Sequence, residues 1–198
     1  MDASGFIQAG GQSRRMGVNK ALVQFAGAPL ILRPLEVLRQ TTKWQAIVTS
    51  EAHLYATLGV ECVPDYRPSL GPLSGICSAL MHSQTDLIVT VACDMPFLTK
   101  ELICYLIESA KGGAEAVVPT DDKGYLQPLA AVYRKSCLQP ALELLSMGEL
   151  ALKALIRKVD TFYLDFDSLR PFVGKLPPFA NINTPQELAL YENLSKTN

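Results

Sequence analysis

The chain has 198 residues, 48% of them apolar and 8% aromatic, and a formal net charge of -1. That length suits one domain with a sizeable core, read here as a single unit over 1–198, and that composition excludes a disordered chain. So balanced a charge excludes a nucleic-acid binder working through a broad basic surface, and leaves small molecules as partners.

Short apolar runs alternate with helical patterns along the first half. A strand over 6–9 precedes a helix within 30–40, a strand over 45–49 precedes a helix over 51–58, and a strand over 60–63 precedes a helix over 74–82. This rhythm implies βαβ units and a parallel sheet covered on both faces. The run 87–92 is continuously apolar or β-branched, as expected of a central strand buried on both sides. Thr99 then stands where an N-cap belongs and Glu101 lies in the first turn. Leu102, Ile103, Leu106 and Ile107 form an apolar stripe, so a helix reaches about Ala110. Strands over 116–119 and 126–133 are joined by a turn at 121–124, and a helix covers 135–145. Thr184-Pro185-Gln186-Glu187 combines a capping box with proline at the first helical position, which predicts a helix to about Asn193. The stretch 164–178 mixes turn residues with aromatics and shows no readable period.

Five cysteines, Cys62, Cys77, Cys93, Cys104 and Cys137, are odd in number, with no pair at a two-residue interval. Free thiols in a reducing cytoplasm are the expectation. No segment approaches the roughly 20 apolar residues that span a bilayer, and the cytoplasm is the expected location.

The chemistry is concentrated after the first strand. Between Ala3 and Leu35 stand Arg14, Arg15, Lys20 and Arg33 and no acidic residue, a local excess suited to an anion. Within it, Ala9-Gly10-Gly11 is followed by Arg15, Gly17 and Lys20. Paired glycines let backbone N–H groups approach phosphate oxygens, and the two cations supply charge-assisted contacts. The spacing is neither the dinucleotide fingerprint nor the Walker loop. A tight turn with solvated cations is the alternative, and the spacing of Arg15, Gly17 and Lys20 favours the polyphosphate.

Asp94 follows the central strand at its carboxyl end, where open α/β sheets place ligands. A carboxylate there can hold Mg2+, which binds through one or two carboxylates and substrate phosphates; the other reading is a cap on the next helix, a task Thr99 fills better. Asp65 ends another strand and reads either as a ligand contact or as a turn residue. Asn181 and Asn183 are two apart, so on extended chain they face one side and could bond a polar ring system or else satisfy turn backbone. Neither His53 nor His82 is paired with a hydroxyl or thiol nucleophile in any readable pattern.

These segments together resemble a known family. Ala9-Gly10-Gly11 through Arg15-Met16-Gly17 to Lys20, Gly27-Ala28-Pro29-Leu30, Gly71-Pro72-Leu73-Ser74-Gly75, Asp94-Met95-Pro96, Gln127 to Tyr133 and Asn181-Ile182-Asn183-Thr184-Pro185 match, in order, the motifs of the MobA-like nucleotidyltransferases, in particular the molybdenum cofactor guanylyltransferases. The resemblance implies an α/β single-domain Rossmann-like sandwich of the nucleotide-diphospho-sugar transferase type, with a mostly parallel sheet and one antiparallel strand. It implies transfer of GMP from GTP to the terminal phosphate of molybdenum-molybdopterin, with release of pyrophosphate. Lys20, Arg15 and Asp94 would be catalytic, with Asp94 the ligand of Mg2+. Gln8, Ala9, Gly10, Gly11, Gly17, Lys20 and Asp65 would surround the nucleotide, and Asn181 and Asn183 would face the pterin. Transient contacts with other molybdenum cofactor proteins would follow. The chain departs from the pattern in three places: Gln8 replaces a leucine, Asn19 an aspartate, and Thr49-Ser50-Glu51 lacks an asparagine placed near guanine. A cytidylyltransferase, a sugar-phosphate nucleotidyltransferase and a carrier module that hands on molybdopterin without turnover remain as alternatives.

Overall fold

The structure, a computed structural model, describes residues 2–10, 19–68 and 70–196. Alternating apolar strands and amphipathic helices give β1 (Ala3–Gln8), then a small hairpin of β2 (Gln24–Phe25) and β3 (Ala28–Pro29), α1 (Leu32–Thr41), β4 (Trp44–Val48), β5 (Glu61–Val63), α2 (Pro72–His82) and β6 (Leu87–Ala92). The second half adds α3 (Lys100–Ser109), β7 (Ala116–Pro119), β8 (Ala130–Arg134), α4 (Leu138–Ser146), α5 (Leu152–Lys158), β9 (Thr161–Leu164), α6 (Phe166–Leu169) and α7 (Pro185–Lys196).

Seven strands form one sheet in the order β5-β4-β1-β6-β8-β7-β9, and β8 alone runs antiparallel to both its neighbours. This is the mostly parallel sheet with one reversed strand that the motifs imply. Every residue of β1 and β6 is buried. Because successive strand residues face opposite sides, Ile7, Val89, Val91 and Val132 pack against Leu35 and Leu38 of α1 and Leu102, Ile103 and Leu106 of α3. Phe6, Val48, Ile88, Ala131 and Tyr133 pack on the other face against α2, α4 and α5. Each large apolar side chain so buried contributes about 1.5–3 kcal/mol. The helix α1 comes close to β1 because residue 5 is glycine: a Cβ there would lie 2.8 Å from Thr42 Oγ1 and 3.2 Å from Leu38 Cβ.

Three differences from the sequence expectations have local causes. The segment expected as a helix over 51–58 winds as a 3-10 helix, Ala52–Leu58; its cap Glu51 makes no side-chain bond, and Gly59 ends it in the left-handed region at φ 61°. The strand expected from 126 begins at Ala130 instead. Pro128 has no N–H for a ladder, and Ala130 N donates to Gln127 O at 3.0 Å, closing a turn. The period-free stretch after 164 holds α6 and a 3-10 turn, Arg170–Phe172. The predicted Thr99 cap is present, its Oγ1 accepting from Leu102 N at 3.1 Å. So is the capping box, with Thr184 Oγ1 accepting from Glu187 N and Glu187 Oε2 accepting from Thr184 N.

A third apolar cluster fixes the C-terminal segment. Phe25 and Leu30 beside the hairpin join Ile182, with Phe97, Leu188 and Tyr191 against them, and Ala26 N donates to Glu192 Oε1 at 3.0 Å. The start of α7 is thereby held near the carboxyl end of β6. Among the described residues no helix is long and apolar enough to cross a membrane.

Candidate active site

The carboxyl ends of β1 and β6 lie side by side, and Cys93 N donates to Gln8 O at 3.2 Å to extend their pairing by one bond. Asp94 follows, turned into the crevice and 9% exposed. Its carbonyl accepts from Ile182 N at 3.1 Å, which lays the 181–183 segment alongside it. Lys20 opens the 3-10 turn Lys20–Leu22 and reaches across the crevice. Its Nζ pairs with Asp94 Oδ2 and donates to Asn183 Oδ1 at 2.5 Å. With its amide oriented to satisfy the carboxylate, Asn181 donates Nδ2–H to Asp94, 2.9 Å from Oδ1 and 3.3 Å from Oδ2. Three distant segments thus converge here, Lys20 and Asn181 on the Asp94 carboxylate and Asn183 on the Lys20 ammonium.

The Lys20 and Asp94 side chains are 15% and 13% exposed, so their attraction is less screened than that of a surface pair. The ammonium thus reaches both Asp94 and Asn183, and the carboxylate accepts from both Lys20 and Asn181. A polyphosphate entering here can take over the ammonium, and the carboxylate is then released to a cation. The donor set around such a cation is one carboxylate flanked by amides, and among the described residues no three His, Cys, Asp or Glu gather elsewhere. That set suits a hard ion shared with phosphates and water rather than held in a protein cage. Burial pushes the neighbouring Cys93 thiol up to about 12, so it stays protonated and is no nucleophile at neutral pH.

The other expected contacts are distributed around this centre. Gly10 is exposed, and a Cβ built on it would lie 3.4 Å from Asp65 Oδ2, so Asp65 flanks the start of the glycine loop. Asp65 is itself held by Ser74, whose Oγ donates to Oδ1 at 2.5 Å and accepts from Arg67 N at 2.8 Å. Ala9 N is taken by Val48 O at 3.1 Å. The Gln8 side chain points away from the crevice and into the layer under α2, donating from Nε2 to Gly75 O at 3.3 Å and Thr90 Oγ1 at 3.1 Å. The Gln8 side chain is therefore committed to the interior, and its carbonyl to Cys93 N. Gly11, Arg15 and Gly17 lie outside the described residues. His53 is exposed, and the His82 ring bonds the backbone Ser78 O at the end of α2.

Sequence patterns did not point to two features. A cleft of about 550 Å³, lined by Lys123, Phe166, Arg170, Lys175, Phe179 and Tyr191 among others, borders Asn181 through Phe179 and Ala180; most of its wall comes from the period-free stretch. Tyr55, fully buried in the connection after β4, accepts a hydrogen bond from Asn19 Nδ2 at 3.1 Å, next to Lys20.

Residues 5–162 match the family model described as the MobA-like NTP transferase domain. A probable molybdenum cofactor guanylyltransferase of Pelotomaculum thermopropionicum is 36% identical over 188 residues, covering 95% of this chain and 91% of that one. The molybdenum cofactor guanylyltransferase of Vibrio parahaemolyticus is 31% identical over 191 residues, covering 95% and 94%. Among solved structures, molybdopterin-guanine dinucleotide biosynthesis protein A of Archaeoglobus fulgidus is similar at a TM-score of 0.85 and 28% identity, covering 98% and 100%. A CMP:2-keto-3-deoxy-manno-octonic acid synthetase complexed with CTP shares the fold at a TM-score of 0.73 and 13% identity, covering 100% and 99%. With the family model spanning most of the chain, and relatives above 30% identity covered over more than nine-tenths of both chains, the chain belongs to the MobA-like NTP transferase family.

Proposed function

We propose that this chain, working as one nucleotidyltransferase domain over 1–198, transfers GMP from GTP to the terminal phosphate of molybdenum-molybdopterin. The observation that carries the reading is the convergence of Lys20, Asp94, Asn181 and Asn183 at the carboxyl ends of β1 and β6. The relatives named as molybdenum cofactor guanylyltransferases give the substrate pair.

A terminal phosphate oxygen of the pterin attacks the α-phosphorus of GTP in line. The bond from that phosphorus to the bridging oxygen breaks, and pyrophosphate leaves with the bridging electrons. No covalent intermediate on the protein is needed, so the chain's contribution is placement and charge. The Lys20 ammonium exchanges Asp94 for phosphate oxygens and neutralises charge that builds on the leaving group. Backbone around Gly10, with Gly11, Arg15 and Gly17 beyond it, surrounds the triphosphate, and Asp65 stands at its edge. Asn181 and Asn183 present their amides to the pterin, whose ring has room in the adjoining cleft between Phe179 and Tyr191. Mg2+ on Asp94 would add Lewis-acid neutralisation of the phosphates.

The test incubates purified protein with Mg2+, molybdate-loaded molybdopterin and GTP, CTP, ATP or UTP separately, and quantifies pyrophosphate and dinucleotide. Product with GTP alone is expected. Product with CTP instead would overturn the base assignment, and no pyrophosphate with any nucleotide would replace the enzyme by a carrier.

A further inference from the structure

Lys20 must place its ammonium within a fraction of an ångström, yet the turn that carries it has only three residues. A 3-10 turn of that length has poor hydrogen-bond geometry and little stability of its own. Its backbone is tied at Leu22 N to Asn19 O, 3.0 Å, and at Ile31 N to Ala21 O, 3.0 Å. Ala21 is buried at 1% exposure. The residue at the head of the turn, Asn19, does two further things with one amide. Its Oδ1 caps the turn by accepting from Ala21 N at 3.0 Å, and its Nδ2 donates to the Tyr55 hydroxyl at 3.1 Å. Tyr55 is fully buried, and burial pushes its hydroxyl up to about 12, so it remains a neutral partner. The tyrosine belongs to the 3-10 helix between β4 and β5, a different part of the sheet's edge from β6 and Asp94. The active lysine is therefore braced from an element that touches neither Asp94 nor Asn183 by any bond described above.

We propose that the Asn19–Tyr55 hydrogen bond sets the placement of Lys20 for the transfer step, with Tyr55 and Asn19 as positioning residues. The inference rests on the nucleotidyltransferase reading for its kinetic consequence but not for its geometry. An aspartate at position 19 preserves the arrangement, because it keeps the capping oxygen and can accept from the tyrosine hydroxyl. A serine caps the turn as well but is too short to reach Tyr55.

The experiment measures kcat and KM for GTP in Tyr55→Phe, Asn19→Ser and Asn19→Asp, each made in the wild-type and in the Lys20→Ala background. Tyr55→Phe and Asn19→Ser should each lower kcat on the order of tenfold with KM for GTP nearly unchanged, the pattern of lost placement rather than lost binding. Asn19→Asp should restore most of kcat. In the Lys20→Ala background Tyr55→Phe should change nothing further, since its effect passes through the absent ammonium. An equal loss in both backgrounds, or no loss in either, overturns the proposal. A second readout needs no turnover: acetic anhydride labelling of lysines mapped by mass spectrometry, with exposed Lys43 as reference. Lys20 should label several-fold faster in Tyr55→Phe and Asn19→Ser than in wild type, and an unchanged rate overturns the proposal. If the wild type releases no pyrophosphate, the functional reading falls while the labelling still decides the geometry.

Discussion

Asp94 accepts from Lys20 at Oδ2 and from Asn181 at both oxygens, and a single substitution separates those contacts from the proposed metal role. Asp94→Asn keeps an oxygen to accept from Lys20 but removes the charge that a hard cation requires. Pyrophosphate release should fall on the order of 100-fold or more, and the residual rate should need higher Mg2+ to saturate. Rates measured against Mg2+ concentration decide it, and saturation at the wild-type concentration would remove Asp94 from the metal site. Lys20→Ala should cost a similar factor, whereas Lys43→Ala, on a side chain 68% exposed, should cost almost nothing. At this scale Lys20, Asp94, Asn181 and Asn183 were legible in the sequence because each is a polar residue at the end of an apolar run or inside a motif, where packing gives no reason for it. Tyr55 was not, because its partner is 36 residues away and a lone tyrosine in a short connection carries no local pattern. Ser74 was visible as part of the 71–75 motif but not as the support of Asp65, because the intervening loop that brings them together has no readable period. Gln8, beside the glycine loop in sequence, faces the interior because strand alternation puts it on the same side as Phe6.

The helix α2 shows how one element is fitted to its neighbour. Gly75 lies against β1, and a Cβ there would meet Gln8 Oε1 at 2.1 Å and Cδ at 3.1 Å. Alanine in a helix interior is ordinarily better than glycine by about 1 kcal/mol. Here the Gln8 amide is 9% exposed and could yield only by giving up its bonds to Gly75 O and Thr90 Oγ1. Stranding that buried amide costs about 1–3 kcal/mol, which outweighs the helical gain. Gly75→Ala should therefore lower stability by roughly 1 kcal/mol in urea unfolding, and a rise would mean that Gln8 has another home. Elements with a strong signal could be read from sequence: β6 is an unbroken apolar or β-branched run, as a strand buried on both faces requires, and the apolar residues of α3 recur at the helical period. The hairpin of β2 and β3 could not, being two residues a side with Ala26 at φ 49° and Gly27 at φ 84°. The edge strand β9 is four residues with Phe162 and Tyr163 about half exposed, so it shows no alternation. Its neighbour α6 is a single turn, too short for a period.

The whole molecule carries its ionisable core groups in both layers. Cys77 on α2 and Cys137 at the head of α4 share one layer with Tyr133, while Tyr55 lies on the other face of the sheet. Burial pushes Cys77 up to about 11, Cys137 and Tyr55 up to about 12, and Tyr133 higher still. Raised values mean that the folded protein keeps protons that the unfolded chain gives up from its ordinary thiol value of 9.0 and tyrosine value of 10.0 onward. Below those values both states hold the same protons and these groups add no pH dependence. Above them the unfolded state binds fewer, so stability falls as pH rises, by at most about 1.4 kcal/mol per pH unit for each group. The urea midpoint should be flat from about pH 7 to 8.5 as far as these groups decide it, and should drop steadily from about pH 9 to 11. Cys137→Ala would lower the midpoint at every pH by leaving a small void, but it also removes one of the titrating groups. Its midpoint should therefore decline less steeply than the wild type's above pH 9, and the two curves should converge as Cys137 ionises in the unfolded wild-type chain. Parallel curves would show that the buried thiol is not among the groups that hold the two layers closed against alkali.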